Sequence, residues 1–138
     1  MRNIDKKKVY RLVDANFNRA KEALRVCEDV CRFYFDLSDL TRAYKNARHS
    51  LTDMIGSLNI TQIISSRAIE KDVGRTTTDS ELSRSNVADI FYANSQRVKE
   101  SIRVLEECSK LLDQKCSVKL KQLRYKVYGL EKKVIERF

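Results

Sequence analysis

The chain has 138 residues and a net charge of +9, with 28 lysines and arginines, 19 acidic residues, 4 cysteines, 3 glycines and no proline. That length supports one domain, residues 1–138, and excludes two independent cores, while every apolar run falls far short of the roughly 20 residues needed to span a bilayer. The charge favours an anionic partner without choosing among nucleic acid, an acidic membrane surface and phosphorylated metabolites, and a solvated basic surface with no partner competes with all three.

Without proline and with so few glycines, almost the whole chain is free to be helical. The opening residues Met-Arg-Asn-Ile-Asp-Lys-Lys-Lys have no apolar stretch behind their charges and do not read as a signal peptide. A long first helix is predicted over about 7–35, with Tyr34 on its apolar arc. Ser38 or Asp39 then caps a second helix running to about 54. Residues 58–85 hold a short apolar stretch and then a polar run around Gly74, which reads as an ordered loop with a short helix. Ser85 or Asn86 starts a third helix to about 112, and a fourth runs from about 117 onward. No window alternates with period two for long enough to make a strand, so the chain reads as all-α.

Two of these helices carry the same phrase. Residues 15–29 read ANFNRAKEALRVCED and residues 93–107 read ANSQRVKESIRVLEE, at a constant offset of 78 with eight of fifteen positions identical. The kept residues are mostly polar: Asn16/Asn94, Arg19/Arg97, Lys21/Lys99, Glu22/Glu100, Arg25/Arg103 and Glu28/Glu106. A repeat that only rebuilt a core would keep its apolar identities and let its charges drift, so this one reads as a duplicated site. The second and fourth helices echo each other more weakly, Tyr44-Lys45-Asn46-Ala47-Arg48-His49 against Leu120-Lys121-Gln122-Leu123-Arg124-Tyr125. Each half, about 7–56 and 85–138, is then a helical hairpin joined to the other through 57–84. Four long helices in a bundle, as two hairpins related by a pseudo-twofold axis, is the economical arrangement.

At about 100° per residue, Asn16 falls in the middle of the apolar arc of the first helix and Arg19 just inside its edge; Asn94 and Arg97 repeat this on the third. Buried arginine and asparagine are costly unless paired, so these four are the sharpest site candidates. Arg25 and Arg103 fall opposite the arc, where intrahelical pairing with neighbouring acids, or a subunit interface, competes with a binding role. Cys27 and Cys31 lie four apart and Cys108 occupies the matching stripe of the second repeat; with no CxxC and one histidine, these and Cys116 read as buried reduced thiols, in keeping with the cytosol.

The run Val13-Asp14-Ala15-Asn16-Phe17-Asn18-Arg19-Ala20-Lys21-Glu22-Ala23-Leu24-Arg25-Val26-Cys27-Glu28-Asp29, with Arg32-Phe33, resembles the small hydroxymethylpyrimidine-phosphate kinase family of bacterial thiamin biosynthesis. Lys45, Arg48 and His49, Asp72-Val73-Gly74, and Asn94, Arg97, Glu100, Arg103 through Glu107 and Lys110 extend the resemblance along nearly the whole chain. Members occur alone or fused ahead of thiamin-phosphate synthase. The resemblance implies ATP-dependent, magnesium-assisted conversion of 4-amino-5-hydroxymethyl-2-methylpyrimidine phosphate to its diphosphate, with no action on the free alcohol. Its acceptor is already an anionic phosphate oxygen, so the reaction asks for charge neutralisation and in-line positioning rather than a base.

On that footing Arg19, Arg97, Glu22 and Glu100 are expected at the transferring phosphate. Arg48, Arg124, Arg25, Arg103, Arg67 and His49 are expected around substrate phosphates, where the arginine fork suits phosphate. Asn16 or Asn94 would read the aminopyrimidine edge. Gly74 would let backbone N–H groups approach phosphate, and Asp72, Glu28 and Glu106, with Glu22 and Glu100, are the carboxylates for magnesium. The sequence has no GxxxxGK[ST] and no glycine-rich kinase loop, so ATP rests on the resemblance alone. The alternative is a basic helical module binding nucleic acid through Lys115, Lys119, Lys121, Arg124, Lys126, Lys132, Lys133 and Arg137, but these charges surround their helix rather than forming a stripe. A third reading is a helical scaffold that pairs with itself. A homodimer stays open as a base rate, as does the choice between one composite site and two.

Overall fold

The computed structural model describes residues 3–138, among which every regular element is helical. Helix α1 (Lys6–Asp29) starts at Asp5, whose carboxylate accepts the Lys8 N–H at 3.2 Å, and continues into a π-helical turn, Val30–Tyr34. Helix α2 (Ser38–Gly56) returns alongside it. The central segment holds α3 (Ile60–Ser65), a 3₁₀ turn (Ile69–Lys71) and α4 (Asp79–Leu82). Helices α5 (Val87–Ser109) and α6 (Gln114–Ile135) form the second hairpin.

Several boundaries differ from the sequence reading, each for a local reason. Helix α2 begins after Leu37, with no side-chain cap, so neither Ser38 nor Asp39 caps it. Helix α5 does start at one of the two expected residues, Asn86, which accepts the Asp89 N–H at 2.8 Å, while Asp89 accepts the Ser85 N–H at 3.0 Å, a reciprocal arrangement that satisfies both donors. It stops at Ser109 rather than near 112, and α6 starts three residues before 117 because Asp113 serves as its N-cap. The π turn carries the most instructive difference. An extra residue in the turn, marked by the Phe35 N–H donating to the Val30 carbonyl at 3.1 Å, slips the inward register by one. Phe35 therefore packs on the core and stacks on Phe138, while Tyr34, which regular periodicity puts inside, is 63 % exposed.

The four long helices close a ring: α1 packs on α2 and α5, α6 packs on α5 and α2, and the α1–α5 interface is the most extensive. Leu24, Leu51, Phe91, Ile102, Leu105 and Leu120 are fully buried between them, each worth about 1.5–3 kcal/mol on transfer from water. All four cysteines lie in this core with free thiols, as their apolar register implies. The Tyr44 hydroxyl is buried there without a hydrogen-bond partner. Helix α3 lies against α1 through the buried Ile63, which brings the central segment across one face of the first hairpin. Among the described residues no helix is long and apolar enough to cross a membrane.

Candidate functional site

The repeated charges divide into two sets that face different ways. The first set is structural. Glu28 is 2 % exposed; its Oε1 accepts from Arg48 Nε at 3.0 Å, and Arg25 lies 3.5 Å from its Oε2. The second hairpin repeats this: Glu106, also 2 % exposed, accepts two hydrogen bonds from Arg124 and has Arg103 at 3.7 Å. Arg25 and Arg103 reach one residue further to Asp29 and Glu107. Of the cations in these two sets of ion pairs, Arg48 and Arg124 are the more enclosed, 14 % and 11 % exposed, held by the glutamates of the neighbouring helix. Each glutamate is faced by two guanidinium groups, which leaves it poorly disposed to hold magnesium. Among the described residues no group of three or more acids, histidines or cysteines is gathered as a metal site.

The second set surrounds a cleft. Arg19 and Arg97, which helical geometry puts inside the apolar arc, are exposed instead: from the edge of the arc their long side chains carry the guanidinium out to solvent. Both line one cleft of about 360 Å³ together with Asn16, Glu100, Ser101 and Val104 of α1 and α5, and Gly74 and Glu81 of the central segment. Arg19 and Arg97 are equivalent under the 78-residue offset, so their meeting puts the pseudo-twofold axis close to this cleft. The cleft at that point is lined from both halves and, on one side, by the unrepeated central segment.

A second cleft of about 520 Å³ adjoins it, sharing Asn16 and Arg19 and adding Lys8, Arg11, Asp14, Arg67, Ile69 and Asp72. Its wall is fixed by a two-pronged ion pair. Arg67 donates from Nε to Asp14 Oδ2 at 2.8 Å and from Nη2 to Oδ1 at 2.6 Å, and Asp14 is 5 % exposed. The carboxylate beside it holds the Arg67 guanidinium above its already high ordinary pKa. Arg11 adds a bond to the Ala68 carbonyl at 3.2 Å, tying the loop to α1. Asp72 turns back to accept the Gly74 N–H at 2.9 Å, which shapes the loop where it meets the cleft.

Asn16 is 4 % exposed and donates Nδ2 to the Leu12 carbonyl at 2.9 Å; Asn94 does the same to Ile90 at 2.8 Å. Each bonds its own helix, which offsets the cost of burying an amide and leaves one N–H and the carbonyl oxygen for another group. Asn16 lines both clefts, whereas Asn94 is half-buried and lines neither. Glu22 is exposed beside Lys21 and Arg25 on another face, and His49 is exposed on α2. Of the expected residues, the structure brings together Asn16, Arg19, Arg67, Asp72, Gly74, Arg97 and Glu100. It leaves Asn94, Glu22 and His49 outside this group and commits Arg25, Arg48, Arg103, Arg124, Glu28 and Glu106 to the frame.

Sequence reasoning missed Glu81 and Asp14. Asp14 stands directly before the repeated phrase and has no counterpart in the other half, where Tyr92 occupies its place, so the repeat carried no signal for it. Glu81 sits in the unrepeated loop. With Glu100 it gives the Arg19/Arg97 cleft two carboxylates, which suits magnesium, an ion bound through one or two carboxylates and substrate phosphates.

Comparison with known proteins extends this picture. The chain is 39 % identical over 124 residues to the thiamine-phosphate synthase of Synechocystis sp., covering 89 % of this chain and 35 % of that protein. It is 36 % identical over 130 residues to the thiamine-phosphate synthase of Rhodopirellula baltica, covering 94 % of this chain and 35 % of the relative. It is 37 % identical over 132 residues to that of a Synechococcus strain, covering 95 % and 36 %. The chain therefore spans about a third of the length of the curated relatives it matches. No solved structure matches it. The ThiD2 family pattern matches residues 11–133, both hairpins and the loop between them, and the chain belongs to that family.

Proposed function

We propose that the chain serves thiamin biosynthesis by phosphorylating 4-amino-5-hydroxymethyl-2-methylpyrimidine phosphate to the diphosphate at the expense of ATP, in the composite cleft of Arg19 and Arg97. Family membership and the thiamine-phosphate synthase relatives supply the pathway. The observation that carries the chemistry is the convergence of two arginines, a buried asparagine and two carboxylates, with no histidine among them.

An oxygen of the substrate phosphate attacks the terminal phosphorus of ATP; the new P–O–P bond forms as the bond to ADP breaks. The attacking oxygen is already anionic, so no proton has to be removed, and the absence of His49 from the cleft is no obstacle. Arg19 and Arg97 bring two polyanions together and stabilise charge on the transferring group. Glu81 and Glu100 would hold magnesium, which supplies further neutralisation of the phosphates. Asn16 keeps one donor and one acceptor for the amino-pyrimidine edge. The free alcohol would need a base to activate it, which favours strict selection of the phosphate.

The test is an ADP-release assay with magnesium, comparing the phosphate with the free alcohol. Turnover of the phosphate alone is expected, with Arg19→Ala and Arg97→Ala each lowering kcat/KM by about 10²–10³-fold. Equal turnover of both substrates, or full activity in both variants, refutes this reading. Absence of turnover together with salt-sensitive RNA binding would support a nucleic-acid module instead.

A further inference from the structure

Another cleft, about 670 Å³, shares no lining residue with the Arg19/Arg97 cleft. It lies where the π turn hands over to α2, between Arg25, Glu28 and Arg32 on one wall and Arg42, Lys45 and Arg48 on the other. Asp36, Leu37, Ser38 and Thr41 form its end. Arg19 and Arg25 are six residues apart on α1, about 9 Å along the axis and roughly 120° around it, so one small ligand does not occupy both clefts.

The charge here exceeds what the fold uses. Arg25 and Arg48 are matched to Glu28. Arg32, Arg42 and Lys45 have no carboxylate partner among the described ion pairs; of the two carboxylates in the lining, Glu28 is taken by Arg25 and Arg48, which leaves Asp36. Arg42, Lys45 and Arg48 recur every three residues, a like-charge stripe that destabilises an isolated helix by a few tenths of a kcal/mol per pair. The second hairpin shows that the frame does not require Arg42. It keeps Arg103, Glu106 and Arg124, with Lys121 in the place of Lys45, but has Val118, 60 % exposed, at the position of Arg42. Arg32, on the π turn, lines the cleft, its guanidinium lying 4.6 Å from the centre of the Phe33 ring.

We infer that this cleft is a second anion site, distinct from the Arg19/Arg97 cleft, which takes a diphosphate or triphosphate group through Arg32, Arg42 and Lys45 with Arg48 behind them. Three unmatched cations suit a chain of linked phosphates better than a single one. Arginine forks supply paired hydrogen bonds to phosphate oxygens. The ligand is the tail of a nucleotide or a free inorganic polyphosphate. This inference does not depend on the kinase reading, because it concerns binding without turnover.

Calorimetric titration with inorganic triphosphate, without substrate and at roughly physiological salt, tests it. Binding is expected for the unaltered chain. Arg42→Ala/Lys45→Ala should remove one binding event or weaken it at least about tenfold, while Arg19→Ala/Arg97→Ala leaves that event in place. Both altered residues are exposed, so the fold should survive; the far-UV spectrum and melting curve check this. The inference is overturned if nothing binds, if the Arg42→Ala/Lys45→Ala chain binds unchanged, or if Lys132→Ala/Lys133→Ala weakens binding as much. A nucleoside triphosphate that competes for the cleft supports a nucleotide tail; one that does not, with the inorganic chain still sensitive to the double change, supports inorganic polyphosphate.

Discussion

The first and second hairpins share one ion-pair network centred on a buried glutamate and differ in much of what is built around it. Glu28 with Arg48 and Arg25, and Glu106 with Arg124 and Arg103, have the same partners at equivalent positions. Outside this trio the halves diverge. The first hairpin binds the central loop through Asp14 and Arg67. In the second, Lys99 reaches Glu131 at 3.0 Å and Ser95 bonds the same carboxylate, where the first hairpin has Ile55 and Phe17. What persists between the halves is therefore the frame, with Arg19 and Arg97 beside it, and what differs is how each half is tied to its surroundings. A polar residue kept in both copies of a duplicated fold can be there to hold two helices at a fixed register.

The largest expected effect tests that equivalence. Glu28→Ala and Glu106→Ala each leave a largely covered arginine, Arg48 or Arg124, without its carboxylate and should each cost about 2–3 kcal/mol in urea unfolding. Replacing both members of one pair by apolar residues of similar size, Glu28→Leu with Arg48→Met, should recover most of that loss. Unequal costs for the two glutamates would break the parallel between the hairpins.

A smaller effect is expected where the halves differ. Arg67→Ala leaves the buried Asp14 with Asn18 as its remaining side-chain partner, at 3.2 Å, and should cost about 1 kcal/mol, because the Arg67 end of the pair is open to solvent. It should also loosen residues 67–85, read as faster amide exchange there and not in α5 or α6. Unchanged exchange in the loop would show that the ion pair does not anchor it.

Cys27 and Cys31, side by side in the first hairpin, sharpen the comparison further. Burial pushes both thiols up, Cys31 to about 11. In the unfolded chain a thiol ionises near 9, so above that pH the unfolded state holds fewer protons than the folded one, and stability falls as pH rises from about 9 to 11. Cys27→Ala/Cys31→Ala should flatten this alkaline loss, whatever its own packing cost, in melting curves taken across that range; an unchanged slope would refute the assignment. The smallest effect belongs to the surface: Asp39, held below the ordinary carboxylate range by the Leu40 N–H and by Arg137, is fully exposed, and Arg137→Ala should leave the melting curve unmoved.

The sequence by itself determined the all-helical class, the two hairpins and the identity of the repeated residues. Helical periodicity is a local property, and a chain without proline offers few places to break it. It also pointed to Asn16, Arg19, Arg97 and Gly74, which the structure brings to one cleft. It did not reveal which repeated charges were structural. Arg25 and Glu28 are spaced for a surface pair, and only the approach of α2 with Arg48 turns Glu28 into a buried carboxylate that those guanidiniums must satisfy. Nor could a regular wheel foresee the π turn, because one inserted residue shifts every later side chain by a fixed angle. The placement of Glu81 and of Arg67 on Asp14 was likewise decided in three dimensions: pairs 53 residues apart meet only because α3 packs on α1 and carries the loop back across it.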